Sequence, residues 1–181
     1  MFPELTPHIE YPWVESLDTG DQLTNFPVDS VAFNYLVEGE PAFKAKRYEE
    51  ARTFYQKAVA QDPQGYLGYL YLGDSYYFAG NAQEALKQYE RAISLNPWDY
   101  RCYFYKANAC RKSGLVKEAR DAYRMALLLR PRYEPLLRTI EANQAFLQVK
   151  VKDIRFDPRV LVRLREETVE ILVNAEEVWI S

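Results

Sequence analysis

The chain has few of the residues that enzymes most often use for acid–base chemistry and metal binding. Its 181 residues include one histidine, His8, and two cysteines. The sequence contains no Gly-rich phosphate loop, no Ser/His/Asp set and no pair of Cys or His residues at metal-ligand spacing. We therefore predict that this protein is not an enzyme and requires no cofactor or metal.

Long apolar runs and a basic N-terminal segment are also missing. No stretch approaches the roughly 20 apolar residues that a membrane-spanning helix needs. Residues 1–36 contain no Lys or Arg, whereas a signal peptide begins with a basic segment. Cys102 and Cys110 lie about 12 Å apart along one predicted helix, which is too far for a disulfide. The sequence predicts a cytoplasmic protein that does not insert into membranes.

The chain does contain a repeat. Pro63, Pro97 and Pro131 stand 34 residues apart, and each ends a stretch with the same order of small and aromatic residues. The stretch 66–99 is the most complete, with a pattern formed by Tyr69, Leu72, Gly73, Tyr76, Ala85, Tyr89, Ala92 and Pro97. This pattern resembles the tetratricopeptide repeat (TPR), in which each unit is a pair of antiparallel helices.

The resemblance implies an all-α fold, a right-handed superhelical array of antiparallel helix pairs known as a TPR solenoid. Three units are expected, at residues 32–65, 66–99 and 100–133. In the first unit Pro41 falls inside the predicted first helix, where we expect a kink or a restart. A capping helix at residues 134–149 is expected to complete the domain, which spans residues 32–149.

The segments on either side of the array have different patterns. Residues 1–31 hold six acidic residues and no Lys or Arg, and we interpret them as an acidic, aromatic N-terminal arm. Residues 150–181 are interpreted as a linker followed by a C-terminal amphipathic helix, because apolar and polar residues separate onto two helical faces. The competing interpretation is β structure, since Val and Ile are frequent there. The helix is favoured because no glycine supplies a hairpin turn.

Basic residues are concentrated in the third unit. Residues 100–133 hold nine basic and two acidic residues, although the net charge of the chain is −3. Such a field favours an anionic partner. The alternative is a solvated face whose arginines pair with nearby acids, which is the commoner meaning of a charge run.

In TPR arrays the first helix of each unit lines a concave groove. Carried onto this sequence, the groove positions of unit one are Phe33, Leu36, Val37, Glu40, Phe43 and Lys44. The predicted partner-binding residues lie in units two and three and on the capping helix: Leu67, Leu70, Tyr71, Asp74, Tyr77, Phe78, Arg101, Phe104, Tyr105, Asn108, Arg111, Lys112 and Arg138. This groove is expected to be apolar and aromatic at one end and cationic at the other.

The helix predicted at residues 66–78 is apolar on nearly all sides, so we expect its groove side to be covered. Three covers are considered: a partner peptide, a second copy of the chain, or the N-terminal arm. In the arm hypothesis, aromatic side chains fill the apolar end and acidic ones face the arginines, and the residues concerned are Phe2, Tyr11, Trp13, Phe26, Glu10, Glu15 and Asp18.

One activity of the family can be tested on the residues directly. Members that grip the C-terminal carboxylate of a heat-shock chaperone use Lys, Asn and Arg at five groove positions. Here those positions are Leu36, Glu40, Tyr71, Arg101 and Tyr105, so only Arg101 matches. The resemblance therefore argues against a clamp of this type.

The predicted function is a protein–protein interaction scaffold or adaptor, which holds an extended or helical segment of acidic character in the groove. Self-association through the arm or the C-terminal helix is a further expectation. The alternative function is a chaperone similar to those of type III secretion, which hold an export substrate in such a groove. Single-stranded nucleic-acid binding is a weaker alternative, because the net charge of −3 opposes it.

Overall fold

The computed structural model describes residues 10–18 and 20–149 with their side chains, and the backbone of two strands at 160–165 and 168–173. Residues 150–159, and the chain before Glu10, lie outside this description. In chain order the elements are β1 (Pro12–Leu17), β2 (Gly20–Asn25), α1 (Ser30–Lys44), α2 (Tyr48–Gln61), α3 (Tyr66–Phe78), α4 (Ala82–Leu95), α5 (Tyr100–Lys112), α6 (Val116–Leu129), α7 (Glu134–Ala142), α8 (Gln144–Leu147), β3 (Val160–Arg165) and β4 (Thr168–Val173). The chain divides into two compact units between Arg130 and Pro131.

The three predicted helix pairs are confirmed. Helix α1 packs against α2, α3 against α4 and α5 against α6, and each pair also contacts the next. The turn inside each pair needs one residue in the left-handed region, supplied by Gly80 at φ 92° and Gly114 at φ 75°. Lys46 takes the equivalent place in the first pair at φ 61°, where a lysine is uncommon. Side chains of Asp29, Asn81 and Asp99 cap the starts of α1, α4 and α5.

Small residues and large tyrosines interlock in the core of the array. Tyr55, Tyr89 and Tyr123 recur every 34 residues and are almost fully buried. Each is flanked by two buried alanines of the same helix. A Cβ atom added to Gly73 would collide with the ring of Tyr89, and one added to Gly39 would lie 2.5 Å from Cε1 of Tyr55. The small residues are therefore required where the first helix of a pair passes over the tyrosine of the second.

The restart expected at Pro41 is not observed. Helix α1 continues through Pro41 to Lys44 as one element. Since Pro41 lies near the end of the helix, its missing N–H removes a single late hydrogen bond. The residues after it, Ala42 and Phe43, still pack in or against the core, which favours continuation of the helix.

The N-terminal arm contains a β-hairpin that the sequence analysis did not predict. Strands β1 and β2 pair antiparallel, with Pro12 opposite Asn25 and Leu17 opposite Gly20. The side-chain oxygen of Asn25 accepts hydrogen bonds from the backbone N–H groups of Glu10 and Tyr11, at 3.0 and 3.2 Å. These bonds hold the chain before β1 against the end of β2.

The second unit contains two short helices and a hairpin. The predicted capping segment forms α7 and α8, which are separated at Asn143. The predicted C-terminal amphipathic helix is wrong for residues 160–165 and 168–173, which form the antiparallel strands β3 and β4. Val and Ile restrict their own side-chain rotamers in a helix and fit a strand better, so their frequency outweighed the missing glycine. The rest of the predicted helix lies outside the described residues.

Across the part of the chain that the structure covers, none of the helices has both the length and the hydropathy to cross a membrane.

Candidate functional site

The first helices of the three pairs lie side by side. Helix α3 contacts both α1 and α5, and we call the surface that these three helices form the groove face. Of the predicted partner-binding residues, all but Arg138 belong to α3 or α5. Arg138 lies on α7 in the second unit, so its role stays a prediction.

The predicted residues differ in their exposure. Leu67, Leu70 and Phe104 are buried with the core, which removes them from the accessible surface. Phe78 and Lys112 are exposed. The others are half-buried and present part of their side chains, and they are Tyr71, Asp74, Tyr77, Arg101, Tyr105, Asn108 and Arg111.

A row of polar residues runs along the groove face at one repeat position. The row consists of Glu40, Asp74 and Asn108, each 34 residues from the next. Tyr89 donates its hydroxyl hydrogen bond to Oδ1 of Asp74 at 2.7 Å, and Tyr123 does the same to Oδ1 of Asn108 at 2.7 Å. The polar row is thus tied to the buried tyrosines of the second helices.

Aromatic rings connect one pair to the next. Tyr71 of α3 meets the ring of Tyr55 in the preceding pair, with centroids 5.4 Å apart. Tyr105, at the same position in α5, lies 6.2 Å from Tyr89. Because each ring packs on the tyrosine of its neighbour, the accessible aromatic residues of the groove face are held in place by the core.

A separate aromatic cluster lies where α1 and α3 end. Phe78 contacts three rings, those of Phe43 at 5.5 Å, Tyr77 at 5.2 Å and Tyr48 at 6.0 Å. Phe78 is nevertheless 53% exposed. The ammonium of Lys112 lies 5.0 Å from the centre of the Tyr77 ring. The cluster therefore presents an exposed aromatic ring on the groove face.

Arg101 is occupied by an internal ion pair. Its guanidinium donates to both carboxylate oxygens of Asp99, with Nε–O distances of 3.0 and 2.9 Å, and Asp99 is fully buried. Tyr66 donates to the same carboxylate at 2.7 Å. Burial disfavours the charge of Arg101, but the hydrogen bonds and charge of Asp99 outweigh it and raise the pKa of Arg101. The charge of Arg101 is therefore already neutralised within the fold.

The N-terminal arm covers one end of the groove face. The Tyr11 ring lies 5.3 Å from the guanidinium carbon of Arg101 and 6.4 Å from the Phe33 ring. Phe26 packs on Tyr66 at 4.9 Å. The buried side chain of Asn96 donates a hydrogen bond to the carbonyl of the residue after Tyr11, at 3.0 Å. These contacts support the arm hypothesis for two of its aromatic residues.

Other members of the arm hypothesis are placed differently. Trp13 packs on Phe26 within the arm itself, at 5.3 Å. Glu15 and Asp18 are exposed, and no ion pair within the described ranges joins them to an arginine. Phe2 lies outside the described residues.

Within the described ranges, three of the nine basic residues at positions 100–133 form ion pairs with acids. The ion pairs of this region join Lys106 to Glu90, Arg124 to Asp121 and Arg101 to Asp99. The side chain of Lys112 is exposed, and Nε of Arg111 is buried without a hydrogen-bond partner among the described residues. The cationic end of the groove face therefore consists of Arg111 and Lys112, a narrower set than the sequence predicted.

Among the described acidic residues, Asp74 is the one whose pKa is raised most by its surroundings. The pKa of Asp74 is raised to about 7, chiefly by burial and to a smaller extent by the charge of Glu40, while the hydrogen bond from Tyr89 and the charge of Arg101 oppose the rise. The folded protein therefore holds this proton more tightly than the unfolded chain does. Its stability must fall as the pH rises from about 4 to 7 and stay reduced above that range.

Replacing Asp74 with asparagine is expected to remove this pH dependence. Asparagine keeps an acceptor for the Tyr89 hydroxyl, as Asn108 does for Tyr123. We expect Asp74→Asn to match the wild type near pH 4 and to be more stable by about 2 kcal/mol at pH 8, a figure reduced for residual contact with water. Urea unfolding at both pH values measures the difference. A difference that does not change with pH would contradict the assignment.

Neither cysteine suits nucleophilic chemistry. Cys102 and Cys110 are free and buried, and burial raises the pKa of both thiols. In the described part of the chain, no group of three or more His, Cys, Asp or Glu residues is arranged to hold a metal ion.

Several solved structures share this fold with the chain at low sequence identity, among them the following three. The second TPR domain of human RPAP3, in complex with an HSP70 peptide, has 23% identity and a TM-score of 0.58, and the match covers 61% of this chain and 92% of that one. The Sgt2 TPR domain from Aspergillus fumigatus has 17% identity and a TM-score of 0.63, covering 70% and 89%. The Yersinia enterocolitica type III secretion chaperone SycD, in complex with a peptide of the translocator YopD, has 17% identity and a TM-score of 0.58, covering 66% and 92%. At these identities the likeness shows the fold alone.

The sequence of the chain identifies its family. No curated protein sequence matches the chain significantly. A family model described as "Tetratricopeptide repeat" matches residues 35–66 and 70–134, which is more than half of the chain. With this match and three helix pairs repeating every 34 residues, the chain belongs to the tetratricopeptide repeat family.

Proposed function

We propose that this protein is an adaptor that binds a segment of another protein on the groove face. The observation that carries the proposal is a set of half-buried or exposed aromatic and charged side chains on the groove face, of which the aromatic ones pack against other rings. Tyr71 and Tyr105 pack on buried tyrosines, and Phe78 is exposed above its cluster. Rigid aromatic side chains contribute strongly to protein interfaces because they lose little conformational entropy on binding. Two of the structural relatives hold a peptide, which supports a protein partner.

The partner segment is extended or helical, and acidic residues in it would lie over Arg111 and Lys112. A carboxylate clamp of the heat-shock chaperone type is not part of the proposal. Arg101, the only matching residue, donates hydrogen bonds to Asp99 within the fold. Glu40 stands at a position where such a clamp uses a neutral asparagine, and its charge would repel a carboxylate.

Affinity capture from the native cell, followed by mass spectrometry, tests this function. The groove variant combines Phe78→Ser with Lys112→Glu, since both side chains are exposed and neither belongs to the buried core. The matched control combines Leu128→Ser with Lys117→Glu on α6, which makes the same chemical changes at exposed positions off the groove face. We expect an abundant partner to be lost at least tenfold from the groove variant and kept by the control.

Partners retained by the groove variant and lost from the control would contradict the proposal. An exported or membrane-active protein as the lost partner would favour the secretion-chaperone alternative. Captured nucleic acid, released by moderate salt, would favour the nucleic-acid alternative.

A further inference from the structure

The first helix pair breaks a hydrogen-bond pattern that the other two keep. Its tyrosine, Tyr55, lies against Gly39 as Tyr89 lies against Gly73, so the two rings occupy equivalent places. Tyr89 and Tyr123 each bond the polar residue 15 positions earlier on the groove face. The Tyr55 hydroxyl is buried and has no hydrogen-bond partner among the described residues, although Glu40 stands at the equivalent position.

An unpartnered buried hydroxyl is costly, and two carboxylates lie beside this one. Glu40 and Asp74 both act on Tyr55 through their charges and, after burial, raise its pKa further. The neighbouring Tyr71 is influenced by the same two residues and also by Glu10 of the arm. Tyr71 packs on Tyr55 with ring centroids 5.4 Å apart and lies one helical turn before Asp74 on α3. Glu40, at the equivalent position of α1, and Asp74 are therefore placed on the same part of the groove face as these two rings.

Among the described residues, no tightly held basic side chain neutralises the charge of this acidic site. The charge of Arg101 lowers the pKa of Asp74, but the guanidinium of Arg101 is bound to Asp99. Glu40 pairs with Lys44 at 3.4 Å along the exposed surface of α1, where the Lys44 side chain is 76% exposed. A solvent-exposed pair of this kind contributes little and is easily exchanged. The site therefore combines the charge of Glu40, the carboxyl group of Asp74, whose pKa is raised to about 7 and which a bound cation would ionise, and a buried hydroxyl without a hydrogen-bond partner among the described residues.

We propose that the acidic site formed by Glu40, Asp74 and the Tyr55 hydroxyl binds a lysine or arginine side chain of the partner segment. This inference rests on the proposed adaptor function and names the chemistry of one contact within it. Lysine carries three N–H donors and arginine five, which suits two carboxylates and a phenol oxygen. The Tyr71 ring offers its face to the same cation. The segment then carries a basic residue at this site and acidic residues toward Arg111 and Lys112.

A random dodecapeptide display library provides the probe. The full chain is immobilised and selected peptides are sequenced, in parallel with the variant Glu40→Gln/Asp74→Asn. Each replacement keeps the size of the side chain, and Asn108 shows that an amide is accepted at this position. We expect the wild type to enrich peptides with Lys or Arg at a fixed position, and the variant to lose that enrichment.

The strongest selected peptide is then synthesised with a fluorescent label, together with a version in which norleucine replaces its basic residue. Fluorescence anisotropy is expected to show about tenfold weaker binding for the norleucine peptide on the wild type. The variant should bind both peptides equally weakly, because the two changes remove the same contact. The control Glu38→Gln/Glu118→Gln makes an equal change in net charge at exposed positions and should leave binding unchanged.

The results of these experiments distinguish the binding of a basic side chain at the acidic site from the adaptor function as a whole. Peptides that depend on Phe78 and Lys112 but carry no fixed basic residue would overturn this inference and leave the adaptor function standing. Equal losses in the control and in the Glu40→Gln/Asp74→Asn variant would show a general charge effect and would also overturn the inference. Failure to select any peptide that depends on the groove face would overturn both.

Discussion

Asp99→Ala is expected to lower the free energy of unfolding by about 3–5 kcal/mol, because it leaves the half-buried charge of Arg101 without a partner. The Asp99 side chain is fully buried, and that of Arg101 is 23% exposed. The same carboxylate accepts the Tyr66 hydroxyl and the backbone N–H of Arg101 at the start of α5. One substitution therefore removes a counter-ion, a hydrogen-bond acceptor and a helix cap.

Chemical denaturation of a graded series measures these parts separately. Asp99→Asn keeps one acceptor at the helix start but removes the charge and replaces the other accepting oxygen with an N–H donor, and its effect should be smaller than that of alanine. Tyr66→Phe removes one hydrogen bond and should cost about 1 kcal/mol. Adding Arg101→Met to Asp99→Ala should recover part of the loss, since no unpaired charge then remains. An alanine variant within 1 kcal/mol of the wild type would show that Arg101 finds another counter-ion.

Tyr89→Ala is expected to be comparably destabilising, at about 3–5 kcal/mol, since it empties a large buried volume. The Tyr89 ring lies against the backbone at Gly73, which has no side chain with which to fill the space. The loss also leaves Asp74 without the hydroxyl that donates to it. Thermal or urea unfolding of the purified chain gives the size of the effect.

Two variants separate packing from hydrogen bonding at this position. Tyr89→Phe keeps the ring and should cost only about 1–2 kcal/mol, through the unpartnered carboxyl of Asp74. Tyr105→Ala removes the half-buried ring that packs on Tyr89 from α5 and should cost less than Tyr89→Ala. A Tyr89→Phe variant as unstable as Tyr89→Ala would show that the hydrogen bond, and not the packing, dominates.

Part of the groove face could be predicted from the sequence. The aromatic residues Tyr71, Tyr105 and Phe78 lie on the face that the repeat spacing indicated, because helical periodicity alone places them there. Leu67 and Leu70 share that spacing but are buried in the core of the array. Periodicity identifies a face of a helix but does not say what covers it.

The segments outside the repeats were less predictable. No pattern of period 34 constrains them, and local preference alone had to decide between helix and strand. For residues 160–173 the amphipathic helical pattern favoured a helix and the β-branched composition favoured strands, and the structure has strands.

The ion pair of Arg101 also had a signal in the sequence, because Asp99 stands at the N-cap position two residues before it.

By itself the sequence determined the array of helix pairs, because small residues, tyrosines and helix-ending glycines recur at fixed spacing and act through local contacts. Only the tertiary structure decided which charges on the groove face are available to a partner. Arg101 is neutralised by the buried carboxylate of Asp99, to which Tyr66 also donates, and the pKa of Asp74 is raised to about 7 mainly by burial. Electrostatic energy depends on distance and solvent exposure, and neither is written in the order of the residues.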